Sequence, residues 1–225
     1  VTELFTEIRP AVVLTLQLAG FSTVILMALA TPLAWWLTVS KWRMRPLIEA
    51  LVTLPLVLPP TVIGFYLLVM MNPNAPLGGA WLRLTGETLA FSFSGLLLAS
   101  VIYSLPFAVQ PLRTAFQSVG IGPREAATTL GASPLQAFFS VVLPLSRRGF
   151  LSAAVLSFAH TLGEFGIVLM VGGNIPGQTR VISIEIFNRV ETLDYSGAHV
   201  LSLGLLVLSF IALAFTYFLS REPQS

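Results

Sequence analysis

The residue to weigh first as a chemical group is Glu164, the one acid set deep inside a long apolar stretch, residues 150–171. His160 stands four positions before it, so on a helix the two fall on one face. Such a pair suggests proton carriage or the start of a metal site. A metal centre needs three or four ligands, and the other histidine, His199, falls on a different apolar stretch, so no metal is expected. The chain has no cysteine, which removes disulfides, thiolate zinc sites, iron–sulfur clusters and cysteine nucleophiles. No Ser–His–Asp or paired-carboxylate arrangement stands out, so an intramembrane hydrolase lacks its nucleophile and base. No GxxxxGK(S/T) loop is present, so any ATP chemistry must come from another polypeptide. A carboxylate at mid-membrane costs about 2.5–3.5 kcal/mol on insertion scales and must face protein or water. Two readings of Glu164 stay open: a hydrogen-bonded or proton-sharing group that fixes a helix break beside Gly163 and Gly166, or part of a gate.

The elements that must position these groups follow from composition. Of 225 residues, 55% are hydrophobic and 10% charged, with a mean hydropathy of +0.86. Soluble domains carry about 25% charged residues, so much of this surface is expected to face lipid. A disordered chain and a conventional soluble enzyme are both excluded. A helix needs about 20 residues to cross the hydrocarbon core, and five stretches qualify: 11–39, 47–71, 92–116, 150–171 and 198–220. Residues 181–190 are interrupted by Glu185, Asn188 and Arg189 and are too short to span. They read as an extramembrane or interfacial helix or strand. The expectation is an all-α integral membrane protein of five transmembrane helices, one domain over residues 1–225, with no internal repeat. Glu3 and Glu7 near the start leave no basic region of the kind that opens a cleaved signal peptide, so the first span is expected to be retained.

Orientation comes from Lys and Arg in the short loops. Lys41, Arg43, Arg45, Arg113, Arg124, Arg147, Arg148 and Arg221 collect on one side, eight against the four of Arg9, Arg83, Arg180 and Arg189 on the other. The eight mark the cytoplasm, which puts the N-terminus outside and the C-terminus inside. Glu3, Glu7, Glu87, Glu185, Glu191 and Asp194 then lie outside, and Glu49, Glu125 and Glu222 inside. A net charge of +2 is explained by topology and anionic membrane lipid; nucleic acid is not an expected partner.

The longest cytoplasmic connection, residues 122–149, is patterned as a hairpin of short helices. Pro123 suits a first helical position, Glu125 sits where the helix dipole favours an anion, and Ala126 and Ala127 are strong helix formers. Gly131 can take the left-handed cap. Ser133, Pro134 and Gln136 restart the chain with the pattern of a capping box. Small side chains here let another helix or groove approach closely, so the hairpin either simply connects two spans or docks a partner. In the second stretch Pro55, Pro59 and Pro60 each remove a backbone donor. Irregular backbone at that depth is tolerated where protein buries it or where it lines a watery path, so a packing kink and a pathway-lining break both stand.

Three segments carry a family resemblance. Glu125-Ala126-Ala127, then Gly131, then Val141-Val142-Leu143-Pro144 resembles the EAA motif of bacterial ABC importer permeases, with Val141 where that pattern has Ile. Residues 54–64, LPLVLPPTVIG, and residues 157–166, SFAHTLGEFG, continuing into 173–180, are similar to the corresponding stretches of the molybdate permeases. Sulfate and tungstate permeases are near relatives, and the likeness covers about residues 47–199. The resemblance implies a multi-pass permease of the prokaryotic cytoplasmic (inner) membrane that is not itself an enzyme. It implies that Glu125, Ala126, Ala127, Gly131, Ser133 and Pro134 couple to a dimer of ATP-binding subunits, which would hold ATP and magnesium, leaving no cofactor in this chain. It further implies a homodimer with a central path and a periplasmic or extracellular oxyanion-binding protein docking on residues 172–194 and 72–87. Pro55, Pro59, Pro60, Gly163, Glu164 and Gly166 are the candidates for path or gate. Selectivity among molybdate, tungstate and sulfate would lie mostly in the binding protein, since no cationic pocket is visible in the spans. The rival from another class is a stand-alone channel or proton-coupled carrier using Glu164, which leaves the EAA spacing unexplained.

Overall fold

The structure is a computed structural model that describes residues 2–220, with side chains from 8 to 218. The acids Glu3 and Glu7, by their side chains, and Arg221 and Glu222 lie outside the described residues. Among the described residues the chain is all helix and turn.

The first helix, α1 (Thr2–Val39), is apolar nearly all round. Its face toward the bundle repeats at helical spacing: Leu18, Ser22, Leu26, Ala30, Ala34 and Leu37 are buried. Small residues along this stripe let helices approach closely where lipid removes the usual hydrophobic drive. The hydroxyls of Thr15, Thr23, Thr31 and Thr38 each donate to the carbonyl four residues back, which satisfies them without a partner helix.

The second stretch, expected as one span over 47–71, is two helices. Helix α2 (Arg45–Thr53) tightens into a single 3₁₀ turn at Leu54–Leu56, and α3 (Pro60–Met71) leaves at 108°. The prolines explain the corner. Pro59 is extended, with φ −56° and ψ 139°, because the residue before a proline is pushed out of the helical region. Pro60 opens α3, where its missing N–H costs nothing. Helix α4 (Pro76–Thr85) follows inside the 72–87 loop, closed by Gly86 at φ 78°.

Helix α5 (Phe93–Val119) is the central post, packing against both α1 and the helix over Arg147–Leu162. The hairpin is α6 (Gly122–Thr129), α7 (Pro134–Ala137), a π turn at Phe138–Val142 and the short α8 (Leu143–Leu145). A 72° bend then leads into α9 (Arg147–Leu162). Instead of running to residue 171, α9 stops at Gly163 and the chain resumes as α10 (Gly166–Gly172). Residues 181–190, open between helix and strand in the sequence, form α11 (Ile182–Glu191), and α12 (Tyr195–Ser220) packs on α9 and α11.

Among the described residues three helices are long and apolar enough to cross a membrane alone, α1, α5 and α12; counting each bent pair as one span makes up to five. Two apolar cores stack along the bundle. Leu18, Met71, Leu96, Ile167 and Ile184 belong to the one at the α3–α10–α11 end, and Leu26, Leu37, Leu112, Phe116 and Val142 to the one at the hairpin end.

Candidate functional site

Two groups of expected site residues lie toward opposite ends of the post α5. At one end is the hairpin. Ser133 accepts from the Gln136 N–H at 3.3 Å while Gln136 Oε1 accepts from the Ser133 N–H at 2.8 Å, so the capping box forms as the sequence indicates. Gly131 takes φ 87°, the left-handed value its position requires. None of the α6 residues is buried, so Glu125 and Ala126 stand open on the surface. Ile121, Leu130 and Leu135 flank them with 67%, 89% and 68% of their surface exposed. Eight residues of helix cannot hold themselves together in water, so this one is held from behind.

The anchor is Phe138, which sequence reasoning missed. It is buried beneath the hairpin, its ring 5.0 Å from Trp35 on α1 and 5.8 Å from Phe116 on α5. Phe116 in turn meets Phe150 at the start of α9, 5.8 Å away. The guanidinium of Arg124 lies over the Trp35 ring at 4.7 Å. The only sequence signal for the anchor was the Phe138-Phe139 pair. The π turn points Phe138 inward and leaves Phe139 58% exposed.

Away from the hairpin, the two chain breaks meet. A Cβ on Gly166 would lie 2.9 Å from Pro60 Cβ, and one on Gly64 would lie 2.8 Å from Met170 Cβ. Pro60 and Gly166, each chosen separately from sequence, are therefore in van der Waals contact across the α3–α10 crossing. Pro55 sits within the 3₁₀ turn, Pro59 at the corner, and Gly163 caps α9.

Glu164 lies in the gap between α9 and α10, beyond the helical repeat that relates it to His160. The expectation that the pair shares a face does not hold. His160 Nδ1 is instead 2.9 Å from Ser104 Oγ on α5, and its ring stacks on Phe107 at 3.8 Å. Ser104 Oγ also lies 3.2 Å from Thr161 Oγ1, so this cluster pins α9 to α5. The Glu164 side chain is buried, 5% exposed, and neither oxygen makes a regular hydrogen bond within the described residues. Ser100 on α5 is the hydroxyl that interacts with it, short of regular geometry. The backbone of Glu164 is held: its carbonyl accepts from Ser183 Oγ of α11 at 2.6 Å. That tie had no sequence signal.

Helix α11 carries a polar brace. Arg189 Nε donates to Glu185 Oε1 at 3.0 Å and Nη1 to Asp194 Oδ2 at 2.6 Å. Asp194 Oδ1 also accepts from the Gly197 N–H at 3.0 Å, which makes it the N-cap of α12. The Gly197 N–H, then the Arg189 and Ser196 donors, hold the Asp194 carboxyl below the usual carboxylate range. Arg180 reaches Asn174 at 2.6 Å, and the Ile182 N–H donates to Thr15 Oγ1 at 2.8 Å, tying the loop to α1.

A bundle of apolar helices with two chain breaks in contact and an exposed, core-anchored hairpin away from them has the build of a transporter's membrane subunit. The chain belongs to the family described as the binding-protein-dependent transport system inner membrane component, which matches residues 11–223. It is 53% identical over 212 residues to the molybdenum transport system permease protein ModB of Azotobacter vinelandii, covering 94% of this chain and 93% of that one. ModB of Haemophilus influenzae is 36% identical over 216 residues, covering 95% and 94%. The fold matches a chain in the crystal structure of a bacterial ABC transporter involved in the import of the acidic polysaccharide alginate, with a TM-score of 0.77 and 17% identity, over 97% of this chain and 80% of that one.

Proposed function

We propose that this chain is the membrane permease of an ATP-driven importer for an oxyanion, molybdate, working as a homodimer with its path on the two-fold axis. The observation that carries the coupling is the hairpin: α6 buries none of its residues, yet Phe138 fixes it rigidly to α1 and α5. A surface of Glu125, Ala126 and Ala127 rimmed by Ile121, Leu130 and Leu135 suits the cleft of a cytoplasmic ATPase subunit. Closure of two such subunits around ATP would draw the hairpins together, and α5 and α9 would carry that motion to the breaks at Pro59–Pro60 and Gly163–Gly166. Cargo then enters from a binding protein seated on the outer loops around α4 and α11. The molybdate assignment is supported by the names of the relatives at 53% and 36% identity.

The test is the reconstituted transporter, asking which oxyanion, delivered by its binding protein, stimulates ATP hydrolysis. Stimulation by molybdate and not sulfate supports the reading; sulfate alone stimulating moves the cargo assignment, and no ATP dependence of uptake removes the coupling. One observation favours a second reading. The buried carboxyl of Glu164, which makes no ion pair among the described residues, is what a proton-coupled carrier would keep, and that reading predicts uptake driven by a proton gradient without ATP.

A further inference from the structure

A cavity of about 560 Å³ opens between the end of α1, the 40–45 turn and the hairpin. Three cations line it: Lys41, Arg45 and Arg124. Arg45 is engaged with Glu49 at 2.6 Å, and Glu49 is shared with Arg113 at 3.0 Å. Lys41 and Arg124 make no ion pair among the described residues. Against the three lining cations stands one lining acid, Glu125, and even with Glu49 set wholly against Arg45 the cavity keeps an excess of positive charge. The Ser40 hydroxyl accepts from the Trp42 N–H at 3.1 Å, which leaves its own proton free to donate into the same space.

Beside the cavity lies an apolar shelf. Trp36 and Trp42 meet edge to face at 6.0 Å, and Trp42 and Leu47 are 54% and 59% exposed just where the apolar run of α1 ends. Indole rings at that level mark a membrane–water boundary. A free anion has no use for such a shelf, whereas a phospholipid uses both parts, its phosphate among the cations and its acyl chains along the tryptophans. The geometry points to a binding site for the phosphate of an anionic phospholipid of the cytoplasmic leaflet, seated between α1 and the coupling hairpin. Because Arg124 and Glu125 belong both to the cavity wall and to α6, the bound headgroup buttresses the hairpin against α1. The site rests on the cytoplasmic placement of the hairpin proposed above.

The experiment is native mass spectrometry of the complete transporter, with its partner subunits, taken from nanodiscs of phosphatidylcholine with and without phosphatidylglycerol. Wild type is expected to retain phosphatidylglycerol that phosphatidylcholine does not replace. Lys41→Gln is expected to weaken retention about fivefold, the effect of one juxtamembrane cation. Lys41→Arg should restore it, and Arg9→Gln should leave it unchanged. Melting curves in phosphatidylcholine discs establish that each variant is folded. Equal retention by Lys41→Gln and wild type overturns the assignment. So does displacement of the lipid by millimolar inorganic phosphate, which would make this a free-anion site, or loss of lipid whenever the ATPase subunit is bound, which would make it part of that interface. Retention is read without ATP hydrolysis, so its failure leaves the coupling reading standing, and a failure of coupling leaves retention intact.

Discussion

Phe138→Ala separates a hairpin that is anchored from one that merely hangs between spans. The ring is 7% exposed and touches Trp35 and Phe116 at 5.0 and 5.8 Å. Removing a buried Phe costs about 3–5 kcal/mol, and the two aromatic contacts account for about 0.5–1.5 kcal/mol each of that. The hairpin keeps its connection through Ala137 and Val142, both buried, so the loss is expected as local opening before global unfolding. A drop of 3 kcal/mol in local opening free energy is about a 100-fold loss of amide protection. Hydrogen exchange over residues 134–145 in nanodiscs reads it directly. Phe139→Ala is the internal control, because its ring is 58% exposed and its removal should change protection by less than about fivefold. In the assembled transporter, Phe138→Ala should also lower the stimulation of ATP hydrolysis by the loaded binding protein. Protection within about threefold of wild type would refute the anchor, and lost protection with full stimulation would refute the lever.

Four further outcomes are expected. Gly166→Ala places a methyl 2.9 Å from the rigid Pro60 ring, so transport should fall while the complex still assembles, and Pro60→Gly in the same chain should recover part of it; an unaffected uptake rate shows the crossing to be slack. Ser133→Ala removes the side-chain acceptor of the capping box and should cost about 1 kcal/mol locally, seen as faster exchange of the Gln136 amide. Glu164→Gln keeps the size of a buried side chain that makes no regular hydrogen bond among the described residues and removes the cost of burying a charge, so thermal stability should hold or rise; unchanged uptake and ATPase rates would end the gating role. Asp194, whose carboxyl is held low by Gly197, Arg189 and Ser196, contributes its cap above the unfolded pKa of about 3.9 and loses it as pH falls further. The melting difference between wild type and Asp194→Asn should therefore stay constant from neutrality to about pH 4 and shrink below it.

What was legible in the sequence followed from local rules. Ser133 and Gln136 capped because that motif spans only four residues, and Gly131 took its left-handed cap because that too is a local rule. The proline corner was legible because Pro55, Pro59 and Pro60 act on their own backbone, though the 108° between α2 and α3 was not. Periodicity joined residues 150–171 into one span, because the residues on both sides of the gap are equally apolar; residue type marked the break, which falls between Gly163 and Gly166 as one reading of Glu164 had it. The His160–Glu164 pairing failed because it assumed helix through that gap. Helix α4 was missed because Pro, Gly and Asn at residues 72–79 read as loop. Contacts between distant segments left no local trace: Pro60 with Gly166, Ser183 with the Glu164 carbonyl, and Phe138 with Trp35.

The way the helices are joined bears on how a pull at the hairpin would reach the breaks. Between them, α9 and α5 are in contact at Gly149 and Ala115, at Ser104 with His160 and Thr161, and, through α10, at Leu96 with Gly172. The first and last are close approaches that leave no room for a Cβ, and the middle one is a hydrogen-bonded cluster, so α5 and α9 are held as one body. Buried polar side chains lie along the same bundle: Ser22 on α1, Ser100 on α5, Ser157 on α9, and Glu164 at the gap. In an apolar environment such groups are costly to leave without partners, so any shift of the helices must keep each of them supplied with one. Shifts of that kind are cheapest where the backbone already lacks helical hydrogen bonds, at Pro59 and at Gly163–Phe165. On the proposed coupling, the α5–α9 pair transmits the stroke, and the breaks at Pro59 and Gly163–Phe165, where helical hydrogen bonds are already missing, are where the stroke is spent.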